Sequence, residues 1–223
     1  MIRGKPLSRT IKRRLYMRTI IKKFKLAPFV MLVACASLLL ASGCARYART
    51  VNTLYEPSAA VRGGSGEVYI VIPENSRTRS PDINWALGKV MDDDNQVIDE
   101  LFSPRSPAEI IQGAFGQEFR KAGYTVIPAV ARPAAGQRVI DLTKTEIKPE
   151  QISDVMDLKV TCRVLAAVDV FRDGQLVNRF QYESTASRTD IKDRTMLAKT
   201  VLEDALQSLM RQAVPELHGL FSR

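Results

Sequence analysis

The stretch Met156-Asp157-Leu158-Lys159-Val160-Thr161-Cys162-Arg163-Val164-Leu165-Ala166-Ala167-Val168-Asp169-Val170-Phe171 decides the fold class. Its even-numbered positions are all apolar, while Asp157, Lys159, Thr161, Arg163 and Asp169 occupy odd ones. Successive side chains of a strand point to opposite faces, so this period of two predicts a strand with one face buried and one largely in water. Cys162 falls on the apolar face and reads as a small buried hydrophobe rather than a reactive thiol.

Arg172-Asp173-Gly174 turns this strand into a partner over Gln175 to Ser187. A two-residue loop would set Val168 against Arg179 and mix the faces. A three-residue loop with Gly174 as a left-handed bulge would instead place Val170 opposite Leu176, Ala166 opposite Phe180 and Val164 opposite Tyr182, and is the expected register. Downstream, Leu197, Val201, Leu202, Leu206, Leu209 and Ala213 form the stripe of a helix starting near Asp190 or Asp193 and ended by Pro215, with His218 left in a frayed tail.

Upstream, Val139 to Ile147 reads as a further strand. Ser106-Pro107-Ala108-Glu109 is a helix start: the serine hydroxyl caps the Glu109 amide, the glutamate reaches back, and Pro107 sits where no donor is needed. Ile111, Phe115, Phe119 and Ala122 make its apolar face, Gly123 its left-handed cap, and Tyr124 to Pro128 leaves as a strand. Ala86 to Met91 and Gln96 to Phe102 are strands around the turn Asp92-Asp93-Asp94-Asn95, which lacks the glycine and final acid of an EF-hand loop. Val68 to Ile72 is a strand closed by Pro73. The sum is an α+β domain, residues 67–223, with a two-layer, largely antiparallel sheet and two main helices packed on one face.

The N-terminus is of another kind. Leu26 to Ala41 is a 16-residue apolar segment behind a basic start, short of the roughly 20 residues a spanning helix needs. It closes in Leu39-Leu40-Ala41-Ser42-Gly43-Cys44, which resembles the lipobox of bacterial lipoprotein precursors, with Leu40 four residues rather than three before the cysteine. Residues 1–43 therefore read as a lipoprotein signal peptide, Cys44 as the lipidated residue, and Met17 as the start of translation, since it leaves a basic region of ordinary length. Of the 33 Lys and Arg, ten lie in residues 1–43, which hold no acid, so residues 44–223 carry 23 basic against 24 acidic residues. The pI near 9.6 thus belongs to the segment removed and implies no nucleic-acid partner. Residues 45–66, mixed in composition and ending Gly63-Gly64-Ser65-Gly66, read as a flexible tether with a span of roughly 25 Å. With Cys44 lipidated, Cys162 has no partner for a disulfide.

Leu87-Gly88-Lys89-Val90, Ser106-Pro107-Ala108-Glu109-Ile110-Ile111, Ala114-Phe115, Glu118 and Lys121-Ala122-Gly123-Tyr124-Thr125-Val126, with the long alternating strand and closing helix, resemble the YajG-like family of bacterial lipoproteins. The resemblance implies an outer-membrane lipoprotein facing the periplasm, and Ala45 rather than Asp after the cysteine agrees with that sorting. It brings no catalytic residues. A sole histidine in a frayed tail builds neither a triad nor a zinc site, and Asp99 and Glu100, adjacent on a strand, point apart. No catalytic, cofactor-binding or metal-ligating residue is assigned. The expected role is a non-enzymatic binding or accessory subunit of the envelope, with the membrane, through Cys44, and an envelope protein as partners. A carrier of a hydrophobic ligand would need a large apolar cavity, and a carboxylate hydrolase of envelope glycans two facing acids.

Overall fold

The computed structural model describes residues 49–133, 137–153, 157–190 and 194–222. The signal peptide, Met17, Cys44 and Met156 lie outside them. Eight strands and two helices follow one another as β1 (Arg49–Thr50), β2 (Glu67–Val71), β3 (Trp85–Asp92), β4 (Val97–Ser103), α1 (Pro107–Ala122), β5 (Thr125–Ala129), β6 (Arg138–Ser153), β7 (Leu158–Arg172), β8 (Gln175–Asp190) and α2 (Arg194–Phe221). The class is α+β.

β6 is the trunk of the sheet. One edge pairs antiparallel with β7 from Arg138↔Arg172 to Ser153↔Leu158, and β7 pairs antiparallel with β8. The other edge is shared: its first part takes β2 in parallel (Ile70↔Ile140) and its last part takes β3 in parallel (Val90↔Gln151). β5 continues the sheet beyond β2 in parallel, whereas β4 pairs antiparallel with β3 and takes β1 in parallel. The sheet is therefore mixed. Its long meander β6-β7-β8 is antiparallel, as hairpin connections allow, while β2 joins β5 and β6 in parallel through crossover connections that single-strand patterns do not display.

The alternation of β7 is met in full: Leu158, Val160, Cys162, Val164, Ala166, Val168 and Val170 are buried. Burial pushes the Cys162 thiol up to about 12, so it stays protonated and inert. Ile111, Phe115 and Phe119 of α1 and Val201, Leu202, Leu206 and Leu209 of α2 join the same core. The helix start at Ser106 is a full capping box, with Ser106 Oγ accepting from the Glu109 amide at 3.1 Å and Glu109 Oε2 accepting from the Ser106 amide at 3.0 Å. Asp92 to Gln96 is a hairpin turn, in which Asp92 Oδ1 accepts from the Gln96 amide at 2.7 Å.

Three expectations are corrected. Asp173 (φ 54°) and Gly174 (φ 79°) both lie in the left-handed region and form a two-residue turn, with Arg172↔Gln175 and Phe171↔Leu176 beside it. A one-residue bulge at Val177 then sets Val170 opposite Asn178, Val168 opposite Phe180 and Ala166 opposite Tyr182. Faces are matched, as the pairing argument required, but the extra residue sits in the strand and not in the loop.

Second, Pro215 does not end α2, which runs to Phe221. Proline removes one donor, yet Leu217 and Phe221 in the following turns are fully buried, and that burial outweighs one lost bond. Third, residues 49–66 are not a free tether: Val51, Thr53, Tyr55 and Ala59 are buried against the domain.

Replacing Phe221 with Ala should cost about 3–5 kcal/mol, as for other buried phenylalanines, read as a fall in the urea midpoint at constant slope. Gly174→Ala forces a side chain to φ 79° and should cost about 1 kcal/mol, lowering Tm by about 2–4 °C in calorimetry.

Candidate functional site

The N-terminal segment from Val51 to Gly66 is a strap laid across both helices. Its alternation is that of an extended chain on a surface: Val51, Thr53 and Tyr55 are buried while Asn52, Leu54 and Glu56 are exposed. β1 starts it by pairing with Leu101 and Phe102 of β4, and the Val51 amide continues the ladder to the Phe102 carbonyl at 2.7 Å.

The strap is held chiefly by one side chain of α1. Glu118 is 1% exposed, and its carboxylate accepts from the Ser58 amide (2.6 Å), the Ala59 amide (3.0 and 3.1 Å) and the Tyr55 hydroxyl. Burial, then the bond to Glu118, pushes the Tyr55 phenol well above its ordinary value, so it remains a donor. Lys121 Nζ donates to the Pro57 carbonyl at 2.9 Å, and Arg105 Nη2 donates to the Thr53 carbonyl and hydroxyl at 2.9 and 3.1 Å. From α2, Glu203 Oε1 accepts from the Leu54 amide at 3.1 Å and Gln207 Nε2 donates to the Glu56 carbonyl at 3.4 Å.

The strap leaves by crossing the end of α1. The Gly64 amide donates to the Ala122 carbonyl at 2.9 Å, and a Cβ on Gly64 would stand 2.3 Å from the Tyr124 ring. That crossing gives Gly64 a packing role where the sequence showed only linker composition.

Between strap and α1 lies a cleft of about 770 Å³, open to solvent, bounded by Thr53, Leu54, Arg105, Ile110, Gly113 and Gln117 among others. Leu54, 76% exposed, stands at its rim. The guanidinium of Arg105 and the amides of Asn52 and Gln117 beside Ile110 and Ala114 suit an extended polar chain with an apolar side chain. Thr53 Oγ1 is taken by Arg105, and Glu56 adds a carboxylate to the boundary of the cleft.

His218 is not in a loose tail. Its Nδ1 is 2.8 Å from the Tyr124 hydroxyl, its Nε2 is 3.1 Å from Ser222 Oγ, and its ring meets Tyr124 edge-on at 5.7 Å. Ser222 also donates within its own helical turn to the His218 carbonyl at 2.9 Å. The row Ser222–His218–Tyr124 superficially resembles a triad. A phenol stands where a triad has a carboxylate, however, and the three close the aromatic cluster of Phe119, Tyr124 and Phe221.

Two acids do face one another on the outward side of the sheet: Asp141 lies directly opposite Asp169. Burial and the neighbouring Asp169 charge raise Asp141, against the pull of Arg132 at 3.4 Å, and Asp169 pairs with Arg179 at 3.3 Å. Each carboxylate is matched to its own guanidinium, the pattern of a surface ion-pair lattice. Arg163 points outward as expected and grips Glu183 through two bonds of 2.6 and 2.8 Å. Between helices and sheet, Phe115, Phe119, Leu202, Leu206, Leu209 and Met210 occupy the place a hydrophobic cargo would need. Among the described residues no group of acids, cysteines or histidine could hold a metal, and no helix is long and apolar enough to cross a membrane.

No family model and no curated protein matches the chain. Among solved structures it is similar to a Xanthomonas campestris protein of family DUF330, with a TM-score of 0.42 and 16% identity over 78% of this chain and 96% of that one. It is also similar to a minor lipoprotein from Acinetobacter baumannii (TM-score 0.37, 11% identity, 67% and 91% covered) and to the rare lipoprotein B from Shewanella oneidensis (TM-score 0.31, 12% identity, 60% and 92% covered).

Glu118→Ala should strip the Ser58 and Ala59 amides of their acceptor. A hydrogen bond to a charged group contributes about 1.5–3 kcal/mol, so hydrogen exchange at these two amides should quicken by one to two orders of magnitude while β7 amides keep their protection.

Proposed function

We propose that this chain is a lipid-anchored envelope lipoprotein, attached through Cys44 to the outer membrane, facing the periplasm, and acting as a non-enzymatic binding or accessory subunit. The observation that carries this reading is the docked strap. It turns the segment behind the lipobox-like run into part of the fold, so that the domain is carried by its own N-terminus.

Only five residue steps separate Cys44 from Arg49, where pairing with β4 begins. Fully extended, they reach about 18 Å. An anchor at Cys44 keeps Arg49 within that reach of the headgroup layer, less than the roughly 25 Å of a free tether. Acyl chains supply about 0.8 kcal/mol per buried methylene, and two or more chains make such attachment stable. The binding role is assigned to the strap cleft, which offers Arg105 and amide groups beside an apolar wall.

Cys44→Ala should leave the domain folded and move it from the membrane pellet to the soluble fraction. Mass spectrometry of the parent protein should show acyl chains on a chain beginning at Cys44. Continued sedimentation of the Cys44→Ala variant with outer membrane would refute the anchor.

A further inference from the structure

Among the described residues β8 pairs only with β7, and no described strand covers its other edge from Gln175 to Thr189. Twelve of its sixteen residues are exposed, Phe180 and Ala186 are half-buried, and no proline or lysine interrupts it. Proteins usually blunt such an edge, because its unpaired amides and carbonyls are a template for another strand. What β8 carries instead is a self-complementary order of side chains.

We propose that β8 is a homotypic interface, in which two copies of this chain pair antiparallel through their β8 edges about a two-fold axis at Gln181. In that register, which runs up to the bulge at Val177, Arg179 of each copy lies opposite Glu183 of the other, Phe180 opposite Tyr182 and Asn178 opposite Ser184. Directly opposed residues share a face, so both helical layers stay on one side of a continuous sheet.

Two features of the single chain point to this partner. First, Arg179 already pairs with Asp169 of β7, and Glu183 with Arg163. Joining the copies completes an alternating row, Asp169–Arg179–Glu183–Arg163, across the junction, twice over. Moving the axis by one residue separates Arg179 from Glu183. Moving it by two sets Arg179 against Arg179 or Glu183 against Glu183, which cross-strand pairing disfavours. Second, Phe180 and Tyr182 stack at 5.6 Å on the helix side of β8, and Leu176 and Val177 are 43% and 41% exposed. The same register continues the aromatic stack into the other copy. The pairing is independent of how the chain is attached to the membrane.

The test uses the full chain purified in detergent micelles. Gln181→Cys places two thiols face to face on the axis, where cross-strand Cβ atoms are about 5 Å apart, and with diamide as oxidant should convert the protein to a disulfide-linked dimer on non-reducing gels. Thr185→Cys, whose two copies would lie about 27 Å apart along the strands, should not cross-link. The parent chain, treated alike, controls for Cys44 and Cys162. Arg179→Glu should shift the sedimenting species from dimer to monomer, and adding Glu183→Arg should restore the dimer, with circular dichroism reporting that each variant is folded. A folded Gln181→Cys variant that stays monomeric under diamide, cross-linking at Thr185→Cys in place of Gln181→Cys, or a double charge swap that remains monomeric would overturn the interface.

Discussion

A carboxylate taken out of water must find hydrogen-bond donors or it destabilises whatever surrounds it. Glu118 meets this demand with groups that α1 itself does not supply. Its donors, the Ser58 and Ala59 amides and the Tyr55 hydroxyl, all come from the strap some sixty residues earlier. The dependence runs both ways. Without the strap, α1 would leave a buried carboxylate without its donors; without Glu118, the strap would keep scattered bonds to Arg105, Lys121, Glu203 and Gln207, the Gly64 crossing and a two-residue strand beside β4. One buried side chain therefore decides whether the N-terminal segment is a leash or part of the fold.

That choice has mechanical consequences. A leash lets a domain turn freely about it, whereas a strap bound to both helices moves with the domain as one body. The strap also supplies one wall of the cleft beside α1, so its contents and its orientation are set by the same residues, Thr53 to Glu56. The core beneath, filled by Phe115, Phe119 and the leucines of α2, gives this arrangement a rigid bed.

What was legible in the sequence was local. The period of β7, the Ser106–Glu109 box and the Gly123 cap each depend on neighbours within four residues, and each is found where expected. What stayed hidden depends on partners far along the chain. The strap's alternation at Val51, Thr53 and Tyr55 was present, but one buried threonine and a bare Leu54 blur it, and its partner Glu118 is distant. Pro215 looked like a stop because the proline rule was applied without the spacing of Val214, Leu217 and Phe221, which carries the apolar stripe past it. The bulge at Val177 answers to the length of β7, not to its own surroundings. Glu118 itself could have been suspected, since an acid amid Ala114, Phe115, Phe119 and Ala122 on an apolar helix face needs a partner.

The three ends of the sheet then differ in physical character. At β4 the sheet is closed by β1 and the strap, at β5 it ends in a strand of five residues, and at β8, a strand of sixteen residues, no further described strand is added. An edge of that length is stable in a monomer only if its side chains discourage addition. Those of β8 are charged, yet Arg179 and Glu183 are spaced so that a second β8 meets them with opposite sign, which leaves unlike partners disfavoured and the same chain accepted. Confinement of both copies to one membrane by Cys44 would raise their effective concentration without any further contact, so an interface of modest area would suffice. The strap and the open edge thus act at different places: the first closes the sheet at β4, and the second leaves it, at β8, able to take a further strand.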